Sequence, residues 1–315
     1  MKSKIVFVDH PFHEKTGSSN FIKNLLSLKH EIILIYFDQF KDDKSYLIGT
    51  INNINPDFIC FWQNFPYGFL KKIKCNNVTF FPMYDDYLIT KKYYLKNEIK
   101  KLKVICFCRK LYDEMLKIGF KNLYFFQYMP PLNIESNKID DEKSLFFWSR
   151  NGDINWTDLK AICQKLNVDR LVIHNPENIL QISNDEIENQ TFSVFVSNWI
   201  ENQQDYLLLI EKCTFYLAPR KFEGIGMSFL EAMSKGKILI GFNFPTFNEY
   251  VTHEINGFLL NADASLNISL EIDFKKIQEN SIAKSFEIRE NWNRHENEIL
   301  QIIQCPKKSF FNFNL

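Results

Sequence analysis

Short apolar runs recur at intervals along this 315-residue chain, and the segments between them mix polar and apolar residues at helical spacing. Such alternation predicts parallel strands joined by helices. The runs form two series, at 5–8, 32–37, 58–62, 78–83, 104–108 and 123–126, and then at 145–148, 171–173, 192–196, 215–217, 238–240 and 258–260. We therefore expect an α/β protein with two doubly wound sheets.

A break in both periodicities separates the two series. Segment 129–142 carries consecutive prolines followed by a polar run, and we place the hinge there. After residue 272 the chain is charged and helical, with Ile288, Trp292, Ile299 and Ile303 roughly on one face, which predicts a helix packing across both domains. The expected domains are 1–135, 136–285 and a closing helix and tail at 286–315.

Composition excludes several classes of protein. Lys plus Arg and Asp plus Glu both number 38, so no global electrostatic case for nucleic acid exists. The seven cysteines lie mostly inside apolar runs, where a reduced cysteine behaves as a small hydrophobe. The first apolar run is too short for a signal peptide, and no stretch is long enough to span a membrane. We expect a soluble, cytoplasmic protein.

Residues 217–231 carry the most informative chemistry, with the sequence Leu-Ala-Pro-Arg-Lys-Phe-Glu-Gly-Ile-Gly-Met-Ser-Phe-Leu-Glu. The pattern predicts a strand, a loop and a helix that runs from Met227 and ends at Gly236. Glu223 lies in the loop and Glu231 about one turn into the helix. Glycines let the backbone approach a ligand, and free N–H groups at a helix start attract phosphate oxygens. The segment therefore suggests a site for a sugar attached to a phosphate.

This segment and three ordered pieces after it resemble a known family. Glu223 precedes Glu231 by eight residues, and segments 231–240 (Glu-Ala-Met-Ser-Lys-Gly-Lys-Ile-Leu-Ile), 248–251 (Asn-Glu-Tyr-Val) and 256–260 (Asn-Gly-Phe-Leu-Leu) follow. The chain resembles the retaining glycosyltransferases of GT-B architecture, the glycosyl transferases group 1 or GT4-like family. The resemblance implies two Rossmann-like domains facing a cleft, with a C-terminal helix crossing back and the nucleotide-sugar held mostly by the C-terminal domain.

The resemblance also implies roles for individual residues. Glu223 would bind the donor-sugar hydroxyls, Glu231 would accept hydrogen bonds from the ribose, and Arg150 would stabilise the departing diphosphate. Backbone N–H groups would come from Gly224, Ile225 and Gly226, and Lys160 is a candidate for the family's phosphate-binding lysine. Simpler interpretations stay open: a helix-start carboxylate and an exposed helical glutamate for the acidic pair, and an ion pair with Asp153 for Arg150.

By the same resemblance, the N-terminal domain binds the acceptor. Gly17 and Ser18 look like the family's small-residue turn near the phosphates, and His13 and Asp85 are candidates for acceptor binding. A solvated carboxylate at a strand end is the alternative for Asp85. The adjacent aspartate pairs do not offer the alternating carboxylates with which the other major glycosyltransferase fold holds a metal. We expect no metal and no cofactor.

The function implied is retaining transfer of a hexose from a UDP- or GDP-linked sugar to a glycan or lipid-linked acceptor in polysaccharide biosynthesis. The alternative is a catalytically weak nucleotide-sugar-binding or scaffold protein of the same fold. A dinucleotide-dependent oxidoreductase is disfavoured, because no Gly-x-Gly-x-x-Gly turn follows the first strand. The lysine-rich segment 91–103 indicates either peripheral contact with an anionic membrane or a solvated helix face.

Overall fold

The computed structural model describes residues 2–305 except 67, 69, 135–142, 199 and 201. The chain divides into two compact units, one formed by Met1–Gln127 with Asn291–Leu315 and the other by Tyr128–Glu290. Most of the predicted hinge, 135–142, lies outside the described residues, as does the tail 306–315; residues 129–134 have no regular secondary structure.

The first unit is built on a sheet of six parallel strands in the order β2-β1-β3-β4-β5-β6. The strands are β1 (Ser3–Asp9), β2 (His30–Tyr36), β3 (Phe58–Trp62), β4 (Val78–Phe81), β5 (Lys103–Cys106) and β6 (Asn122–Phe125). The helices of this unit are α1 (Phe12–Thr16), α2 (Asn20–Ser27), α3 (Lys44–Ile54), α4 (Tyr84–Tyr94) and α5 (Arg109–Lys117), with 3₁₀ turns at Leu70–Lys72 and Ile99–Lys101.

The second unit repeats the plan with six parallel strands in the order β12-β11-β10-β7-β8-β9. The strands are β7 (Ser144–Trp148), β8 (Arg170–His174), β9 (Ser193–Ser197), β10 (Phe215–Leu217), β11 (Ile238–Phe242) and β12 (Gly257–Leu260). The helices are α6 (Trp156–Leu166), α7 (Asn184–Glu188), α8 (Gln203–Glu211) and α9 (Met227–Ser234), with a 3₁₀ turn at Phe247–Glu249. Helix α10 (Phe274–Gln304) follows, and its residues from Asn291 onward belong to the first unit.

Each predicted apolar run contributes a strand, and the two series form two separate sheets, so the predicted α/β class and doubly wound plan are confirmed. The strands arise from apolar runs because parallel strands are covered on both faces. In the second unit most side chains of β7, β10 and β11 are accordingly buried. The closing helix α10 has its predicted apolar face buried at Ile288, Trp292, Ile299 and Ile303.

Each sheet has one place where strand order reverses direction. In the first sheet β1 lies between β2 and β3, and in the second β7 lies between β8 and β10. Connections leave such neighbouring strands in opposite directions, which opens a crevice at their carboxyl ends, where ligands of doubly wound sheets bind. The residues just beyond these ends are His10 and Gln63–Asn64 in the first unit, and Ser149–Arg150 and Ala218 in the second.

The carboxyl end of α10 is capped by a buried lysine. Lys103 is almost fully buried, and its Nζ donates to Asn77 Oδ1 and to the main-chain oxygens of Ile302 at 2.9 Å, Ile303 at 2.6 Å and Cys305 at 3.1 Å. A cation suits a helix C-terminus, whose last carbonyls have no partner within the helix. Lys103 therefore belongs to the interior, and including it in the basic segment 91–103 was wrong for this residue.

Candidate functional site

The loops after β7 and β10 are tied together at the reversal point of the second sheet. The Asp153 carboxylate accepts a hydrogen bond from the Lys221 backbone N–H at 2.9 Å and another from the Asn151 amide at 2.6 Å. Among the described residues Arg150 makes no ion pair with Asp153, so that simpler interpretation of Arg150 does not hold. Asp153 fixes the two loops while the Arg150 guanidinium lies elsewhere.

Glu223 is held inside the loop after β10. The residue is only 7% exposed, and its Oε2 lies 3.4 Å from Arg220 Nη1. The fully buried Thr246 hydroxyl donates to the carbonyl oxygens of Glu223 at 2.9 Å and Gly224 at 3.0 Å. A buried carboxylate is costly unless it is paired, and the pairing with Arg220 meets that requirement. The loop therefore presents a fixed, partly compensated carboxylate.

A left-handed glycine joins this loop to helix α9. Gly226 has φ +80°, and a Cβ at this position would overlap the ring of Phe229. Only glycine fits both conditions. The predicted helix from Met227 is present and ends at Ser234, with Lys235 as its C-cap and Gly236 at φ +73°. The backbone of 224–226 therefore reaches the helix start as the sequence predicts.

Glu231 follows one turn into α9 in a partly buried position. Burial raises the pKa of its carboxyl from the usual 4.5 to about 7, and the charge of Lys235 acts in the opposite direction. Lys235 is itself nearly buried and forms an ion pair with Glu211. Among the described residues no cation forms an ion pair with Glu231. Hydrogen bonds from the hydroxyl groups of a ligand would therefore stabilise its desolvated carboxylate.

We expect Glu231 to leave a signature in stability against pH. Between about pH 4.5 and 7 the folded protein keeps a proton on Glu231 that the unfolded chain has released, so its contribution to the free energy of unfolding falls as pH rises through this window. Glu231→Gln should therefore gain stability relative to the wild type as pH rises from 5 to 7. Urea unfolding at both pH values measures the difference; exposed Glu271→Gln is the control, and a parallel profile for Glu231→Gln would contradict the assignment.

Arg150, Glu223 and Glu231 share neighbours. The Arg150 guanidinium carbon lies 4.3 Å from the centroid of the Trp148 ring. Burial first, and the negative charges of both glutamates to a smaller degree, raise the pKa of Tyr216. Burial also raises the pKa of Tyr206, where the charge of Glu231 adds to the effect and that of Arg150 opposes it. The structure thus brings these three predicted site residues into one electrostatic environment.

An aromatic and imidazole layer lies at the carboxyl ends of β7 and β8. The Trp148, His174 and Tyr206 rings are mutual neighbours, with centroids 5.3 to 5.6 Å apart. Burial lowers the pKa of His174 to about 4, so the imidazole is neutral at pH 7, and its Nδ1 lies 2.9 Å from the Ser197 hydroxyl. No role was predicted for these residues from the sequence. The available signal was that Trp148 and His174 each occupy the last position of a strand, whereas Tyr206 lies in α8 and had no such signal.

Lys160, the predicted phosphate contact, lies on α6 beside Trp156. Its Nζ is 5.7 Å from the Trp156 ring centroid. In the described part of the chain no hydrogen bond or ion pair joins it to the 218–226 loop. The cation that the sequence analysis missed is Arg220, three residues before Glu223. Its position in the same strand-end loop was the available signal.

In the first unit His13 and the small-residue turn follow β1, whereas Asp85 follows β4. The buried Asp9 carboxylate accepts from His13 Nδ1 at 2.6 Å and from Ser19 Oγ at 2.5 Å. Gly17 ends α1 at φ +63°, and the Ser18 hydroxyl is buried without a hydrogen-bond partner among the described residues. Asp85 is the second residue of α4, and its carboxylate accepts from the Asp86 N–H at 3.0 Å.

The second unit also matches a known family by sequence. Residues 179–293 match the model of the family Glycosyl transferases group 1. The matched segment contains Arg220, Glu223 and Glu231, whereas Arg150 precedes it. No curated protein sequence matches the chain significantly.

Solved structures extend the likeness to nearly the whole chain. A glycosyltransferase from Rickettsia africae aligns with a TM-score of 0.64 at 16% identity, covering 96% of this chain and 98% of that one. Sucrose-phosphate synthase from Thermosynechococcus elongatus gives 0.61 at 10% identity, covering 95% and 98%. The Anabaena protein HepE in complex with UDP-glucose gives 0.58 at 13% identity, covering 95% and 99%. The chain therefore has the GT-B fold of these glycosyltransferase structures.

No cluster of three or more His, Cys, Asp or Glu side chains in the described ranges could hold a metal ion. Likewise, none of the helices built from described residues combines the length and apolar character needed to cross a membrane.

Proposed function

We propose that this protein is a glycosyltransferase that moves a hexose from a nucleoside-diphosphate sugar to a hydroxyl of a glycan or lipid-linked acceptor. The observation that carries the proposal is the buried Glu223 carboxylate, paired with Arg220 at the reversal point of a doubly wound sheet and directly before a helix that begins at a left-handed glycine. The family match over the same segment supports it. The UDP-glucose complex of the similar HepE structure favours UDP among the donors.

The charges of the site suit the two ends of such a donor. The Glu223 carboxylate accepts hydrogen bonds from sugar hydroxyls, while the N–H groups of 224–226 and the Arg150 guanidinium face a diphosphate. Glu231 accepts from the ribose hydroxyls. Arg220 holds the Glu223 carboxylate in place, so that Glu223 positions the sugar.

The proposed reaction retains the anomeric configuration. The bond between the anomeric carbon and the diphosphate oxygen breaks, and the acceptor oxygen forms its bond on the same face of the sugar. The departing phosphate oxygen takes the acceptor proton. Negative charge grows on the diphosphate as the bond breaks, so fixed cations stabilise the transition state more than the ground state. The anomeric signal of the product in proton NMR tests retention.

Arg150→Ala should lower kcat/KM for transfer by roughly 10²-fold while the protein stays folded, because the guanidinium acts on charge that develops in the transition state. UDP affinity should fall less than turnover. Steady-state release of nucleoside diphosphate measures the effect, and exposed Arg109→Ala in the first unit is the control. Turnover by Arg150→Ala within a factor of about two of the wild type would remove Arg150 from the mechanism.

Metal independence and cytoplasmic location are parts of the proposal. Cations for the diphosphate would come from Arg150 and the backbone of 224–226, so EDTA should leave the transfer rate unchanged. A rate that falls with EDTA and returns with Mg²⁺ or Mn²⁺ would refute this part.

Peripheral membrane contact is proposed for the surface formed by Ile89, Leu95 and the lysines at 91, 92, 96 and 100. Ile89 is 84% exposed and Leu95 55% exposed beside these cations, a combination suited to anionic lipid. Cosedimentation with phosphatidylcholine vesicles, with and without phosphatidylserine, tests it. Binding should require phosphatidylserine and fall in Ile89→Ser/Leu95→Ser. Leu116→Ser, a similarly exposed leucine, should bind like the wild type.

The second candidate function is nucleotide-sugar binding without efficient transfer. It is favoured because, among the described residues, no hydrogen bond or ion pair joins Lys160 to the 218–226 loop. The rate at which nucleoside diphosphate is released from a tightly bound donor distinguishes the two candidates. A slow rate that no glycan or lipid acceptor increases would indicate the binding protein.

A further inference from the structure

A small pocket with several polar side chains in its lining lies at the reversal point of the first sheet. Its volume is about 200 Å³, and it is lined by residues that follow β1, β2 and β3 and by one residue of α4: His10, Phe12, His13, Gln39, Phe40, Gln63, Asn64 and Asp86. The carboxyl ends of β1 and β3 meet there, which is where doubly wound sheets bind ligands. The pocket lies wholly within the first unit.

Asn64 is the most telling residue of the lining. It is only 2% exposed, and both its Oδ1 and its Nδ2 are buried without a hydrogen-bond partner among the described residues. An unmade hydrogen bond at a buried polar group costs about 1–3 kcal/mol, so a buried amide with both ends unsatisfied is unfavourable for folding alone. A ligand in the pocket that donates and accepts would satisfy it.

The backbone before Asn64 is held in an uncommon conformation. Gln63 has φ +58°, which a residue with a Cβ adopts rarely, and the Asn64 N–H donates to the Trp62 carbonyl at 2.5 Å. Such outliers cluster at ligand sites. The tight turn sets Gln63 and Asn64 side by side on the pocket wall.

The remaining polar groups are fixed by neighbours. The Gln39 side-chain oxygen accepts from the Phe65 N–H at 2.9 Å, which leaves the amide NH₂ as a donor. The Asp9 carboxylate only accepts, so His13 Nδ1 carries the proton between them, and Nε2 is the ring nitrogen left for a ligand. The lining therefore offers donors and acceptors in a preset arrangement.

The charge of the lining distinguishes ligand classes. In the described part of the chain no lysine or arginine lines the pocket, and His10 and His13 lie near their own carboxylates, Asp38 at 3.7 Å and Asp9 at 2.6 Å. Asp86 adds a carboxyl group, whose pKa burial raises to about 6. A phosphate or carboxylate would face Asp86 without an uncommitted cation. The exposed Phe12 and Phe40 rings instead provide flat apolar surfaces at the mouth.

We infer that this pocket binds an uncharged, hydroxyl-rich sugar unit. Asn64 is the central hydrogen-bonding residue, and Gln39, Gln63 and Asp86 also hydrogen-bond to the sugar. A hydroxyl both donates and accepts, so a pair of neighbouring hydroxyls satisfies both ends of the Asn64 amide. The inference deepens the proposed function, since within it this unit belongs to the acceptor. Binding itself needs no donor and can be measured separately.

The test uses saturation-transfer NMR and calorimetry on the full chain with methyl glucoside, methyl galactoside and methyl mannoside, and with methyl glucuronide and glucose 6-phosphate as anionic counterparts. At least one neutral glycoside should bind at least about tenfold more tightly than both anions, and Asn64→Leu should weaken it at least about tenfold. No binding by any neutral glycoside, equal binding of an anion, or retained binding by Asn64→Leu would each overturn the inference.

Stability separates a binding role from a structural one. Asn64→Leu removes an unsatisfied buried amide, so its Tm should equal or exceed that of the wild type. Asn52→Leu is the matched control, because the Asn52 amide is satisfied by Lys72 O at 2.9 Å and the Lys74 N–H at 2.8 Å. It should lower Tm and keep sugar binding. A large fall in Tm for Asn64→Leu would make Asn64 structural and contradict the inference.

UDP titration of both variants keeps the two proposals distinguishable. If Asn64→Leu binds UDP like the wild type but no longer binds the sugar, both the proposed function and the sugar pocket are supported. Wild-type protein that binds the neutral sugar and no nucleotide would refute the proposed donor reaction while leaving the sugar pocket intact.

Discussion

Glu223→Gln is expected to lower kcat/KM for sugar transfer by about 10²-fold or more while the chain remains folded. Glutamine keeps the shape of the side chain and removes its charge. Sugar hydroxyls donate more strongly to an ionised acceptor than to a neutral amide, and the partner Arg220 is left with an uncompensated charge in the site. Both effects act where the sugar is held.

The expected selectivity makes this variant informative. Free UDP lacks the sugar, so its affinity should match that of the wild type, whereas the additional affinity of UDP-sugar over UDP should shrink. Because Arg220 is about one third exposed, loss of the pair should cost at most about 1 kcal/mol of stability. Nucleotide release assays and calorimetry give both quantities, with exposed Glu271→Gln as control. Wild-type turnover by Glu223→Gln would refute the sugar-positioning role.

Lys103→Met is expected to reduce the free energy of unfolding by about 3 kcal/mol. Methionine fills a similar volume but leaves the carbonyls of Ile302, Ile303 and Cys305 and the Asn77 amide without their buried donor. It also removes the cation at the C-terminus of α10. The cost therefore falls on the attachment of the closing helix within the first unit.

Lys101→Met provides the comparison for this effect. Lys101 belongs to the same lysine-rich segment but is exposed, so the same chemical change there should alter stability by no more than about 0.5 kcal/mol. Urea unfolding followed by circular dichroism measures both variants. Equal stabilities for Lys103→Met and the wild type would mean that the cap is energetically unimportant.

Strands and sheets could be predicted from the sequence because burial on both faces requires unbroken apolar runs. The 223–231 arrangement was equally visible, since the left-handed turn at Gly226 permits only glycine and the helix start follows it. At these positions the residue type itself determines the local structure, so the local sequence was sufficient to predict it.

Polar interiors were the part that the sequence hid. The first half of α10 rests on Gln278, which donates to the Gly236 carbonyl at 2.9 Å, and on the fully buried Ser281. Helical character was predicted after residue 272, and α10 begins at Phe274, but these small and polar residues gave no signal of the buried contacts that they make. Lys103 was likewise counted with the other lysines of segment 91–103, because the sequence gives no sign that its side chain is buried.

Long-range pairing was also beyond the sequence. His13 was selected as a possible ligand residue, yet the unsatisfied Asn64 lines the same pocket only because β1 and β3 lie side by side. Likewise, only the adjacency of β7 and β10 brings Arg150 into the same environment as Glu223 and Glu231.

The most direct test of the central claim is a thermal-shift screen of the purified protein against UDP, GDP, ADP, CMP and their sugar conjugates. A ligand present at a hundred times its Kd stabilises the folded state by about 2.7 kcal/mol, which is readily seen as a rise in Tm. We predict that one nucleoside diphosphate raises Tm, and that its sugar conjugate raises Tm further in the wild type but not in Glu223→Gln. An unchanged Tm with every nucleotide and every conjugate would contradict a nucleotide-sugar site in the second unit.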